Sequence, residues 1–228
     1  MSQYEKAWQA ARRRVDEAVA RAGRPAGSVR MLAVAKTFPA EAVRAVHALG
    51  QRAFGENYVQ EAEAKHDALR DLADVEWHLI GPLQSNKTAN AAAIFNWVET
   101  VDRLRIAQRL SAQRAASTAP LDVCVQVNAS GEDSKGGVAP SEALSLAQAV
   151  AALPNLRLRG VMGIPAPTTD VTRQQREFGV LRECFEAMRD DGLQVDTLSM
   201  GMSADLEIAI AQGATQVRIG TAIFGGRT

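Results

Sequence analysis

Short, largely apolar runs alternate along the chain with longer stretches in which apolar residues return every three or four positions. The runs are Val29–Ala35, Arg52–Gly55, Glu76–Ile80, Trp97–Val101, Leu121–Val127, Leu156–Ile164, Thr197–Met200 and Gln216–Phe224, and each predicts a strand. Between them Ala40–Leu49, Val59–Leu72, Asn86–Phe95, Leu104–Ala116, Ser141–Leu153, Arg173–Asp190 and Ala204–Ala211 have helix-forming composition. One more helix precedes the first strand. Ser2–Ala22 places Trp8, Ala11, Val15, Ala18 and Val19 at helical spacing and stops at Gly23 before Pro25, a combination that ends helices.

Strands that are apolar on both faces and alternate with helices pair in parallel, with helices covering the sheet. Eight such strands in this length of chain predict an α/β fold, a single (β/α)8 TIM barrel with an extra N-terminal helix. The competing arrangement is a doubly wound open sheet, but its GxGxxG signature is missing after the first strand. No linker, composition break, repeat or low-complexity tract divides residues 1–228, so one domain is expected.

Composition narrows the function. The 228 residues carry 26 basic and 26 acidic side chains, a formal charge of +0, which leaves no global excess to attract nucleic acid or an anionic membrane. Two cysteines, Cys124 and Cys184, lie apart with no CxxC and no His cluster, so neither a disulfide framework nor a zinc site is expected. The charged N-terminus lacks the apolar core of a signal peptide, and no run reaches the roughly 18 apolar residues that span a bilayer. A soluble, cytoplasmic protein is the expectation.

In a TIM barrel the C-terminal ends of the strands form the active face, and here those ends are polar. They carry Lys36-Thr37, Glu56-Asn57, the segment from Gly81 to Lys87, Asn128, Met162 to Pro165, Ser199 to Ser203, and Arg218 with Gly220-Thr221. Lys36 stands out: of five lysines it alone closes an apolar run, Met31–Ala35. Burial lowers a lysine's pKa and frees the neutral amine to condense with a carbonyl; the plainer alternative is a strand-end lysine that snorkels to solvent. Gly201-Met202-Ser203 and Gly220-Thr221 precede the last two helical segments, where barrels bind phosphate through backbone N–H groups. Ser203 equally reads as an ordinary N-cap.

Other groups carry less. His78 reads as a core histidine, His47 and His66 as solvent-facing, and Arg12-Arg13-Arg14 as a solvated helix face. The loop from Ser130 to Gly137 matches a phosphate loop in composition but not in residue order.

The stretches LAVAKTFPAEAV, FGENYVQE, EWHLIGPLQSNK, VQVNASGEDSKGG, LRGVMGIPAP and LSMGMSADLEIAIAQGATQVRIGTAIFG resemble those of the pyridoxal phosphate homeostasis proteins, from the first strand to the C-terminus. The resemblance implies the barrel of the alanine racemase N-terminal domain and pyridoxal 5′-phosphate (PLP) as cofactor, held as a Schiff base. It implies that Lys36 is the Schiff-base lysine, that Asn57 lies beside the cofactor ring, and that Ser203, Gly220 and Thr221 bind the phosphate. It further implies that Met200, Gly201 and Met202 shape the pocket and that Arg218 faces the pyridine nitrogen. Ala35 departs from the serine that many members place before the lysine; adjacent strand residues face opposite ways, so little effect is expected.

An arginine at the pyridine nitrogen cannot accept a proton and disfavours a pyridinium, which weakens the cofactor as an electron sink. A racemase also needs an acid or base on each face of the substrate carbon. The tyrosine that serves alanine racemase comes from a separate domain, for which no counterpart is expected after the eighth strand, and the tyrosines of this sequence are Tyr4 and Tyr58. The expectation is therefore a non-catalytic PLP carrier in vitamin B6 homeostasis, a monomer with transient contact to PLP-dependent apoenzymes. The alternatives are a racemase-like PLP enzyme and a barrel enzyme that forms a substrate imine on Lys36.

Overall fold

A computed structural model describes residues 3–116, 118–132 and 135–226. The alternation of apolar runs and helical stretches closes on itself. Strands β1 (Arg30–Val34), β2 (Ala53–Glu56), β3 (Glu76–Leu79), β4 (Trp97–Val101), β5 (Leu121–Gln126), β6 (Leu156–Met162), β7 (Thr197–Met202) and β8 (Gln216–Ile219) pair in parallel and in sequence order, and β8 returns to β1. Helices α2 (Ala40–His47), α3 (Val59–Ala68), α4 (Thr88–Ile94), α5 (Leu104–Gln113), α6 (Ala143–Ala151), α7 (Val171–Asp190) and α8 (Leu206–Ala211) follow successive strands. The architecture is the (β/α)8 barrel with the extra N-terminal helix, α1 (Gln3–Arg21).

Side-chain alternation sorts each strand between two environments. Ala33, Ala35 and Phe54 join the main core between barrel and helices, whereas Leu32, Val34, Ala53 and Ile80 form a small apolar cluster of their own. The strands are less uniformly apolar than their sequences suggest: His78, Glu99, Ser199, Gln216 and Arg218 are all buried within them. On α1, Ala11, Val15, Ala18 and Val19 are buried, as the helical spacing requires, and the helix packs beside α8 and α9 (Thr221–Phe224).

The largest boundary difference lies at the end of the barrel. The last apolar run predicts a strand to Phe224, but β8 stops at Ile219 and Gly220 begins α9. Ile223 and Phe224 are apolar because α9 closes over the core, with Phe224 stacked on Phe38 at 5.1 Å and edge-on to Tyr4 at 6.1 Å. The strand β7 runs two residues further than its sequence suggests, and its register against β8 shifts between Ser199 and Met202, where the chain turns toward the barrel mouth.

Among the described residues no helix is long and apolar enough to cross a membrane, and no group of three His, Cys, Asp or Glu side chains is placed to hold a metal.

Candidate functional site

A cavity of about 500 Å³ opens at the C-terminal ends of the strands. Seven of the nine residues expected at the site line it: Lys36, Asn57, Met202, Ser203, Arg218, Gly220 and Thr221. Lys36 lies two residues past β1, after Ala35, whose N–H continues the pairing with β2 by donating to the Gly55 carbonyl at 2.9 Å. Val34 also lines the cavity while Ala35 is fully buried in the core on the other side. The alternation thus points residue 36 into the mouth and residue 35 away from it.

Asn57 reaches the same space because Gly81, after β3, allows it. A Cβ on Gly81 would lie 2.2 Å from the Asn57 carbonyl oxygen and 2.7 Å from its Cα, distances that no larger residue tolerates.

Met200 and Gly201 stand behind the wall. Met200 is buried in the main core, and Gly201 has φ +91°, with a Cβ there falling 2.4 Å from Cβ of Ala209. Their contribution to the mouth is to let β7 turn tightly against α8. Ser203 is not the N-cap of that helix, because Asp205 occupies the position and accepts from the Met202 N–H at 2.6 Å. Ser203 is left at the cavity surface.

Arg218 is 3% exposed and held on several sides. It donates to the carbonyl and hydroxyl of Ser199, each at 2.8 Å, and to the Gly163 carbonyl at 2.8 Å. Beneath it, Glu99 accepts from Ser199 Oγ at 2.6 Å, Gln216 at 2.8 Å and His78 Nδ1 at 2.6 Å. His78 Nε2 faces Glu76 at 3.0 Å, and Arg30 grips the Glu76 carboxylate in two bonds of 2.9 and 2.6 Å. Both ring nitrogens of His78 therefore meet carboxylate oxygens. Burial works to raise the pKa of Glu99, but the hydrogen bond and charge of His78, with Arg218 and Ser199, hold it below the usual carboxylate value. For Arg218 burial lowers the pKa and Glu99 opposes it. A charged column thus runs through the barrel interior to the cavity. The core reading of His78 holds, and its partners explain why.

Several contributors are not apparent in the sequence. Arg14 is no solvated bystander: it pairs with Glu207 at 2.5 and 2.7 Å and donates to the Ser203 carbonyl at 2.6 Å, so α1 braces the Ser203 turn. His47 is mostly covered, its ring 12% exposed and 2.7 Å from Asp74. Lys135 and Gly136 of the loop after β5 line the cavity, as do Gln126, Thr100 and Asp102. Asn128 ties that loop back by donating to the Glu132 carbonyl at 2.9 Å; Asp133 and Ser134 of the same loop lie outside the described residues. Their common signal is position at a strand end, which only closure of the barrel turns into proximity. Tyr58 is 55% exposed and does not line the cavity, and Tyr4 packs on Phe224. Cys124 is fully buried, and burial pushes its thiol well above the ordinary value, which leaves it unreactive.

The family model of the alanine racemase N-terminal domain matches residues 8–228. The chain is 58% identical over 214 residues to a pyridoxal phosphate homeostasis protein of Pseudomonas aeruginosa, covering 94% of this chain and 91% of the relative. It is 49% identical over 218 residues to the protein of that name from Escherichia coli, covering 95% and 93% respectively. Its fold superposes on the PLP-bound structure of PipY from Synechococcus elongatus with a TM-score of 0.81 and 36% identity, over 92% of this chain and 100% of that one.

Proposed function

Because the chain belongs to the pyridoxal phosphate homeostasis proteins, built on the alanine racemase N-terminal domain, we propose that it binds PLP covalently through Lys36 and serves as a carrier without turnover. The observation that carries this reading is the convergence of Lys36, Asn57, Ser203, Arg218, Gly220 and Thr221 on one cavity. The donor set fits the group. Ser203 and Thr221 offer hydroxyls, Gly220 brings a backbone close with no side chain in the way, and Lys36 offers the only strand-end amine at the end of an apolar run.

Each part of the chain has a share in this. Lys36 would hold the group by condensing its amine with an aldehyde, which releases water and needs neither oxidant nor reductant. Arg218, immobilised by Ser199 and Gly163, presents a permanent charge that cannot accept a proton. When bound, PLP supplies a reactive aldehyde and an electron-accepting ring; next to an arginine the second property is weakened. The reading of no turnover rests on this charge and on the tyrosines, neither of which lines the cavity. The ionisable groups among the described cavity residues are Lys36, Asp102, Lys135 and Arg218.

The test is α-proton exchange of amino acids in deuterated water with PLP-loaded protein. No exchange above that of free PLP is expected, and enzyme-rate exchange would replace the carrier by a catalyst. The expected contacts with apoenzymes are proposed on the same footing, and transfer from loaded protein to an apoenzyme faster than PLP dissociates would support them. A cytoplasmic, monomeric state belongs to the same proposal.

A further inference from the structure

Lys36 is held from outside the cavity. Helix α3 places two side chains of opposite charge one turn apart, Glu61 and Lys65, and each binds the main chain on one side of the lysine. Lys65 Nζ donates to the Ala35 carbonyl at 2.7 Å, and Glu61 Oε2 accepts from the Thr37 N–H at 3.0 Å. The same Lys65 ammonium donates to Glu56 Oε1 at 2.6 Å, and Glu56 immediately precedes Asn57. One side chain therefore joins the ends of the two strands that deliver Lys36 and Asn57 to the mouth.

The cost of this arrangement marks it as more than packing. Lys65 and Glu56 are 7% and 0% exposed, and a buried ion pair commonly adds less stability than apolar side chains of the same size would. Glu56 Oε2 is buried without a hydrogen-bond partner among the described residues. Thr37 has φ +68°, the left-handed region that β-branched residues avoid and keep only where their surroundings over-determine it. The charged groups that face Glu56 are Lys65 and Glu61 from α3 and Lys36 itself.

We propose that Glu61 and Lys65 form a two-point clamp that fixes the backbone of Lys36, making both positioning residues for the covalent step. This rests on the Lys36 reading above. Amine addition needs the nitrogen on a defined approach to the carbonyl carbon, whereas non-covalent binding by the rest of the cavity does not. Loosening residues 35 to 37 should therefore weaken the covalent contribution selectively.

The experiment compares PLP with pyridoxine 5′-phosphate, the alcohol that cannot form a C=N bond, in Glu61→Ala and in the double variant Glu56→Gln/Lys65→Met, which replaces both members of the buried pair together. Kd for PLP should rise about tenfold or more in each variant, well beyond any rise in Kd for the alcohol, with the circular dichroism spectrum unchanged. Glu61→Gln, which keeps an acceptor oxygen, should restore PLP binding. The clamp is overturned if both ligands weaken equally, or if PLP binds the variants as tightly as the parent protein. If the parent protein itself binds the two ligands equally and borohydride fixes no PLP to it, the Lys36 reading fails and the clamp with it. A parent that is fixed by borohydride, with variants of undiminished affinity, overturns the clamp alone.

Discussion

Arg218 and Ser199 are joined twice: the guanidinium donates to both the carbonyl and the hydroxyl of Ser199, each at 2.8 Å. The hydroxyl in turn donates a hydrogen bond to Glu99, so Arg218 is the cavity end of a buried charged column that continues through His78 to Glu76 and Arg30. Its orientation is set by β6 and β7 before any ligand arrives. A lysine at this position keeps the charge but has no planar fork to span Ser199 and Gly163. Arg218→Lys should lose about 1–3 kcal/mol of stability, read by urea denaturation, and should weaken PLP binding.

His78 carries the column's balance. His78→Phe preserves the ring's bulk but leaves Glu99 facing the interior without its principal partner, and loss of one member of a buried pair costs about 3–5 kcal/mol. Glu99 has a folded pKa below its ordinary value, so its contribution to stability is present above that value and is lost as pH falls through the folded pKa. Glu99→Gln should accordingly flatten the acid side of the stability profile.

The sign reverses at Glu56. Burial raises its pKa from 4.5 to about 7, against the lowering effect of Lys65. The folded state therefore holds this proton where the unfolded state releases it, and stability falls as pH rises from 4.5 to about 7. Glu56→Gln should remove this slope, which reaches about 1.4 kcal/mol per pH unit at its steepest. Denaturation midpoints at a series of pH values test it, and a slope unchanged in the variant would contradict the assignment.

Much of this architecture is legible in sequence because each signal is local. The period of apolar residues distinguishes strand from helix, and Lys36 announces itself by ending an apolar run. The contacts that finish the site are not local. Arg14 reaches the Ser203 carbonyl across 189 positions, and within the triplet Arg12-Arg13-Arg14 nothing distinguishes it from its neighbours. Lys135 sits in a polar loop and meets the cavity only because β5 ends there. Apolar identity also misled at the last strand, where Ile223 and Phe224 satisfy a helix on the core as well as they would a strand.

Gly81 offers a test of the mouth's backbone. In Gly81→Ala the new methyl would meet the Asn57 carbonyl oxygen at 2.2 Å, so the segment carrying Asn57 must move. A loss of about 1–3 kcal/mol is expected from overpacking of this kind, together with weaker PLP binding. The corresponding change at Gly179, where no atom lies within 4 Å of the added Cβ, should leave binding unaltered.

The covalent role of Lys36 is tested most directly by the visible absorbance of PLP-loaded protein before and after borohydride, in the parent protein and in Lys36→Ala. A yellow band is expected in the parent protein, one that borohydride abolishes while fixing the cofactor to the peptide that contains residue 36, and no such band is expected in the folded variant. A band of the same intensity in Lys36→Ala, or fixation of the parent's cofactor at another lysine, would contradict it.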